Sequence, residues 1–175
     1  MKRYIKLTDS IDLTHAFDVD PAIRGRIAGS TNDPALMDVY LYDPSELVRC
    51  KLVRNPKVTI EILNILAKDE QSSVRTAVAS NRKAAKDIDI MTMLSQDSSN
   101  AVRFTVAQWC RFPEILVKLY NDSTLLVKDG VLSNPNTPEF VLRQAMADNP
   151  RSKNNRGNTL YNAARDNLKA RGLSV

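Results

Sequence analysis

An internal repeat of about 25 residues is the feature that most constrains the fold of this 175-residue chain. Its clearest marker is a series of aspartates spaced 23, 26, 28, 25 and 26 residues apart, at Asp20, Asp43, Asp69, Asp97, Asp122 and Asp148. An aliphatic residue followed by a basic residue recurs behind these aspartates, in the pairs Ile23-Arg24, Val48-Arg49, Val74-Arg75, Val102-Arg103 and Val127-Lys128. Patterns that recur in one register predict a stack of equivalent structural units.

Each repeat contains two short segments with the apolar spacing of an amphipathic helix. The first segment carries an apolar pair four residues apart, such as Val48 and Leu52. The second carries apolar residues at i, i+1 and i+4, in the sets Leu36-Met37-Tyr40, Ile62-Leu63-Leu66, Ile90-Met91-Leu94, Ile115-Leu116-Leu119 and Val141-Leu142-Ala145. Both spacings place apolar side chains on one helix face. We therefore expect two helices in each repeat, which bury their apolar faces only when repeats stack.

Polar residues punctuate these helices. The two segments are separated by Asn55-Pro56, Asn81-Arg82 and Asn134-Pro135. Asparagine tolerates the left-handed conformation that ends a helix, and proline prevents its continuation. The aspartate that closes each repeat is expected to cap the first helix of the next repeat. We thus predict an N-terminal cap at 1–19, five repeats at 20–149, and a basic tail with a C-terminal helix at 150–175, all within a single domain.

The repeats resemble the leucine-rich variant repeats, a HEAT-like family of bacterial α-solenoids. The similarity is closest in Asp122–Asp148 and Asp43–Asp69. It implies an all-α fold, a right-handed α-solenoid of about five short two-helix repeats with terminal capping helices, some of the helices being 3₁₀. It also implies binding to other macromolecules. Some family members carry an iron–sulfur cluster in a cysteine-rich domain, but this chain has only Cys50 and Cys110, so we predict no cofactor and no metal site.

The net charge of +5 is unevenly distributed along the chain. Residues 7–43 carry seven aspartates against two arginines, whereas residues 151–175 carry six basic residues and one acidic residue. The basic column of the repeats (Arg24, Arg49, Arg75, Arg103 and Lys128) is interpreted as structural, each member paired with the aspartate four or six positions before it, because buried charges usually occur in pairs. An isoelectric point near 9.3 therefore argues less strongly for nucleic acid than it would for a folded basic stripe.

Four features of the sequence are candidates for partner binding. Six basic residues lie in turns that would stack along one edge, as a contact strip or simply a solvated edge: Arg54, Lys57, Arg82, Lys83, Lys86 and Arg111. Trp109, the sole tryptophan, stands where other repeats have asparagine, and it either fills a gap or is a binding hot spot. Repeat 3 has a turn two residues longer at Asn81–Asp87, where binding variation tends to sit. The tail adds Arg151, Lys153 and Arg156, followed by a helix at Thr159–Ala170 with Leu160, Ala164 and Leu168 on one face.

The function that these features favour is a non-enzymatic interaction module, an adaptor or inhibitor that binds another protein. The alternative is a nucleic-acid-binding solenoid that uses the basic edge and the tail. An enzyme similar to the HEAT-like DNA glycosylases is a further alternative, although the repeats of that family are longer. We predict no catalytic residues, because His15 has no partner at a recognisable spacing, and Cys50 and Cys110 read as a packing residue and a turn residue. The chain lacks a signal peptide and a long apolar run, so we expect a cytoplasmic protein that contacts neither membrane nor small-molecule substrate.

Overall fold

The computed structural model describes residues 20–150 and 159–175, which form eleven α-helices, one short 3₁₀ helix and no strands. The all-α prediction is confirmed for this part of the chain. Two compact parts divide at Asn81: an N-terminal part that ends there and a C-terminal part that begins at Arg82. The predicted cap at 1–19, with His15, lies outside the described residues.

From residue 20 onward, the N-terminal part contains five helices, which are α1 (Pro21–Ser30), α2 (Pro34–Leu41), α3 (Glu46–Val53), α4 (Ile60–Leu66) and α5 (Ser72–Ala79). The first helices of successive repeats are neighbours, since α1 packs against α3 and α3 packs against α5. The second helices, α2 and α4, both contact α3. Two helices per repeat are therefore observed here, as predicted.

The C-terminal part has the same alternation of helices. A 3₁₀ helix (Ala84–Lys86) precedes α6 (Ile88–Leu94), α7 (Asn100–Trp109), α8 (Pro113–Leu119), α9 (Leu125–Ser133), α10 (Glu139–Asp148) and α11 (Thr159–Ala170). Helix α9 packs against both α7 and α11, and α10 packs against α11. The longer turn of repeat 3 forms the 3₁₀ helix, and its Ala84 and Ala85 are buried rather than projecting from the surface.

The apolar patterns of the repeats identify the buried side chains. Every residue of the five i, i+1, i+4 sets is buried, and so are the valines at 48, 74, 102 and 127 with their partners four positions later. Repeat 1 is the exception, because Ile23 and Ile27 of α1 are only half-buried. The periodicity therefore locates the core of both parts, since each residue in these sets is more than 90% buried.

Each arginine of the basic column that has a described carboxylate partner pairs with an aspartate that follows it by 19 or 20 residues. The ion pairs are Arg24–Asp43 at 2.7 Å, Arg49–Asp69 at 2.6 Å and Arg103–Asp122 at 2.7 Å. Each is bidentate, since an Nη2 atom donates to the other carboxylate oxygen at 2.9 to 3.2 Å. The structural interpretation of these arginines is confirmed, but the predicted partner was wrong.

In three repeats the aspartate that precedes the arginine contributes its backbone carbonyl instead. Nη1 of Arg49 donates to the carbonyl oxygen of Asp43 at 2.6 Å, and Nη1 of Arg103 donates to that of Asp97 at 2.7 Å. The carboxylate of Asp43 faces the preceding repeat, and it also accepts the N–H of Ser45, two residues later. Ser45 is the residue that precedes α3, so the aspartate forms an Asx turn ahead of the helix rather than the predicted cap.

The repeat asparagines hold neighbouring helices together rather than reversing the backbone. No residue other than glycine has a positive φ in the described ranges, so the predicted left-handed conformation of these asparagines is wrong. Instead, Asn55 Nδ2 donates to the carbonyls of Ala28 and Thr31 at 2.8 and 2.9 Å, at the end of α1. Asn134 likewise donates to Ala107 and Cys110, at 2.7 and 2.9 Å. The amide thereby satisfies carbonyls that a helix end leaves without partners.

Helix α11 also has a buried asparagine that bonds to backbone carbonyls at the end of the preceding first helix, α9. Leu160, Ala164 and Leu168 are buried, as predicted, and Gly172 follows the helix with a φ of 71°. Asn167 is buried as well, and its Nδ2 donates to the carbonyls of Leu132 and Asn134, both at 2.8 Å. Helix α11 therefore contacts α9 as the first helix of one repeat contacts that of the repeat before it.

Candidate interaction site

The turn after α7 has a cysteine, whereas α3, α5 and α9 are followed by asparagine. The helix runs to Trp109, and the next residue, Cys110, is fully buried. The Cys110 sulfur accepts the N–H of Phe112 at 3.4 Å, as Asn55 Oδ1 accepts the N–H of Lys57 two residues later. Cys110 thus takes the place of the asparagine in the turn, and the alignment of Trp109 with that asparagine was wrong. Burial raises the pKa of the Cys110 thiol, which disfavours its reactive thiolate form.

Displacement from the turn leaves Trp109 on the surface. Its side chain is 52% exposed, so it does not fill a gap in the core. A hollow of about 220 Å³ lies beside it, lined by Gln108, Trp109, Gly130 and Ser133. Arg111, two residues along the chain, is also exposed. Trp109 therefore has the exposure that a contact residue needs.

Gly130 of α9 is one of the residues that line this hollow. An added Cβ at Gly130 would stand 2.9 Å from the Phe104 ring and 3.1 Å from the Ala107 Cβ. Helices α7 and α9 therefore approach each other closely at this point, and a larger residue at Gly130 would require the Phe104 ring to move.

The six basic turn residues are all exposed. Arg54 and Lys57 belong to the N-terminal part, and Arg82, Lys83, Lys86 and Arg111 belong to the C-terminal part. Their alignment along a single edge stays a prediction. The tail residues Arg151, Lys153 and Arg156 lie outside the described residues.

Repeat 5 has lysine where the other repeats have arginine, and its contacts differ accordingly. Asp148 accepts a hydrogen bond from the Tyr120 hydroxyl at 3.1 Å, while Lys128 Nζ lies 5.9 Å from the centre of the Tyr120 ring. Burial and the bond to Asp148 raise the pKa of Tyr120 to about 12. A lysine lacks the planar fork of arginine, so the tyrosine supplies the donor and the lysine stacks on its ring.

Sequence reasoning missed a groove in the N-terminal part. It has a volume of about 560 Å³ and lies between α2 and α4, with Met37, Leu41, Ile62 and Ile65 among its lining residues. The sequence did contain a signal, which is one additional apolar residue next to the last member of two i, i+1, i+4 sets. Leu41 follows Tyr40, and Ile65 precedes Leu66. A single apolar stripe does not require either residue.

No family model, curated protein or solved structure matches this chain. The resemblance to leucine-rich variant repeats therefore stays a prediction. Among the helices that the structure describes, none combines the length and the apolar character needed to cross a membrane.

Proposed function

We propose that the chain is a non-enzymatic interaction module that binds another protein, as an adaptor or inhibitor, through the surface around Trp109. The observation that supports this most is the exposure of the sole tryptophan beside a hollow and an exposed arginine. Tryptophan and arginine are enriched in the few residues that dominate binding energy at protein interfaces. The other exposed large apolar residues on helices of the C-terminal part, none of which lines this hollow, are Ile88, Leu125, Leu126 and Phe140.

The architecture that we propose for this module is a right-handed α-solenoid of five two-helix repeats within residues 20–149. Support comes from each part separately, because first helices pack against first helices in both. Small-angle scattering tests the proposal. A compact globule of this length has a radius of gyration of about 16 Å, so a value well above that is expected, and a value near it would contradict the elongated form.

The functional test compares two alanine variants in affinity purification from the native cell, with mass spectrometry of the recovered proteins. Trp109→Ala should lose a partner that the wild-type chain retains. Leu125→Ala is the matched control, because Leu125 is also exposed, at 68%, but does not line the hollow. Equal recovery of every partner by wild type and Trp109→Ala would reject the proposed surface.

Nucleic acid is the second candidate partner, and the charge of the C-terminal part favours it. Residues 82–175 carry 14 basic and 9 acidic residues, whereas residues 1–81 carry 11 of each. The whole excess of +5 lies in residues 151–175, with six basic residues and one acidic residue, while residues 82–150, which include Arg82, Lys83, Lys86 and Arg111, carry eight of each. Affinity for duplex or single strands should fall with salt by a log–log slope of roughly −0.7 to −0.9 per phosphate contact. Changing Arg82, Lys83 and Lys86 to glutamate should abolish it, and no binding at low salt would exclude this candidate.

A further inference from the structure

The groove between α2 and α4 is a second surface, distinct from the one around Trp109. Its walls are apolar and belong to opposite helices, with Met37 and Leu41 on α2 and Ile62 and Ile65 on α4. Leu41 and Ile65 also line a neighbouring hollow of about 350 Å³, which extends past the end of α2 to Tyr42. We call these two adjoining hollows the trough; it follows α2 for about 11 Å, at 1.5 Å per residue, and then passes Tyr42.

The exposed apolar side chains of the trough are not covered by the described residues of the N-terminal part. Tyr42 is 75% exposed and Ile65 is 46% exposed, whereas most apolar residues of α2 and α4 are buried. An open trough that continues over two hollows suits a length of polypeptide better than a compact small molecule, because a chain can place successive side chains along it. Grooves between helices are a recurring site for peptide segments that insert apolar side chains.

The charges of the trough indicate what the segment carries. Asp38 on α2 and Glu61 on α4 line the groove from opposite walls, and neither forms an ion pair with a described residue. Lys57 lies near the start of α4, and Lys68 lies beyond its end. Asp43 and Asp69 also line the second hollow, but Arg24 and Arg49 neutralise them. The middle of the trough is therefore acidic, with Lys57 towards one end and Lys68 beside Glu70 towards the other.

We propose that the trough between α2 and α4 binds a short segment of another protein that places apolar side chains against Leu41 and Ile65 and a basic side chain between Asp38 and Glu61. The apolar side chains supply most of the binding energy by leaving water. The basic side chain fixes the register of the segment along the trough, since opposite charges give specificity more than affinity. This binding is additional to the surface at Trp109 and does not depend on it.

A random 12-residue peptide library displayed on phage is the probe, selected against the full-length chain. The enriched peptides should share two or more apolar positions and a lysine or arginine, and should bind with a dissociation constant measurable by calorimetry. Ile65→Ser should weaken them at least tenfold, because it removes an exposed part of the apolar wall. Leu126→Ser is the matched control, since Leu126 is 48% exposed but lies in the C-terminal part, and it should leave the affinity unchanged.

The charge recognition has its own variants, Asp38→Asn and Glu61→Gln, which keep the shape of the wall and remove its charge. Each should weaken the selected peptides about threefold to fivefold, and the effect should shrink in high salt. The proposal is overturned if no peptide is enriched, if the enriched peptides lack basic residues, or if Ile65→Ser binds them as well as wild type does. Peptides that Trp109→Ala weakens and Ile65→Ser does not would bind at the surface around Trp109. That result would support the proposed function and contradict the proposal of a peptide site in the trough.

Discussion

At the scale of single residues, the buried arginines decide how one repeat joins the next. The guanidinium of Arg49 bonds to the carboxylate of Asp69 and to the carbonyl of Asp43, and the side chains of the ion pair are only 8% and 6% exposed. Such a pair is weak evidence for net stability, because desolvation offsets its attraction. Its loss is nevertheless costly, because removing one partner leaves a buried charge uncompensated.

We predict that Arg49→Met lowers the free energy of unfolding by about 3–5 kcal/mol, since Asp69 would stay buried without its cation. Arg143→Met is the control, because Arg143 pairs with Glu139 at 2.7 Å on the surface, where both side chains are more than 40% exposed. The control should cost less than about 1 kcal/mol. Urea unfolding measures both, and equal losses would show that burial does not govern these pairs.

Two buried tyrosines provide a paired test of hydrogen bonding. The Tyr120 hydroxyl donates to Asp148, whereas the Tyr40 hydroxyl has no hydrogen-bond partner among the described residues. Tyr120→Phe should lower the free energy of unfolding by about 1–2 kcal/mol, because a bond to a charged group is lost. Tyr40→Phe should leave it unchanged or raise it, because an unpaired buried hydroxyl is removed. Thermal unfolding of both variants checks the opposite signs, and a loss at Tyr40 as large as that at Tyr120 would contradict the assignment.

At the scale of the helices, apolar periodicity was enough to predict where the helices lie and, except in α1, which face each one buries. The sets at Ile62-Leu63-Leu66 and Ile115-Leu116-Leu119 are local patterns, so the sequence alone contains them. The partners of Arg49 and Asn134 could not be predicted in the same way, because each bond joins different repeats and depends on how the repeats are offset. The spacing of 19 or 20 residues between arginine and aspartate was present in the sequence. It predicts an ion pair only when the offset between successive repeats is already known.

The spacing of α7 and α9 leads to a prediction at this scale. Gly130→Ala should lower the free energy of unfolding by about 1–3 kcal/mol, because the added methyl overlaps the Phe104 ring at 2.9 Å. Gly29→Ala is the control, because its Cβ would meet no atom closer than 3.6 Å, and alanine favours a helix over glycine by roughly 0.5–1 kcal/mol. Urea unfolding should therefore show opposite signs. Combining Gly130→Ala with Phe104→Leu should restore part of the loss, and full additivity would argue against the overlap.

At the scale of the whole molecule, the ion pairs repeated along the chain make its stability depend on pH. Burial would raise the pKa of Asp43, but the bonds from Arg24 and from the Ser45 N–H outweigh it and hold that pKa below its usual value. The bond from Arg103 is the main cause that lowers the pKa of Asp122. A carboxylate with a lowered pKa stabilises the fold fully above its unfolded pKa, and that stabilisation is lost as the pH falls through the folded value.

We therefore predict that the free energy of unfolding is nearly constant from pH 7 down to about pH 5 and falls below about pH 4, where the unfolded aspartates gain protons. Urea unfolding at a series of pH values measures this dependence. Asp122→Asn should be less stable at pH 7 and should show a shallower loss in acid, because one of the responsible carboxylates is gone. An identical acid slope in wild type and variant would assign the dependence to other groups.

The bonds of α11 bear on how the number of repeats in such a chain can change. Helix α9 accepts one neighbour on each side, α7 and α11, but α11 buries a single face and exposes Asp166 and Lys169 on its other side. A duplicated repeat placed after α11 would meet a charged surface, whereas one inserted between Asp148 and α11 would meet the carbonyls that Asn167 now satisfies. Lengthening by duplication, in evolution or in engineering, is thus compatible with this fold upstream of α11 and not beyond it.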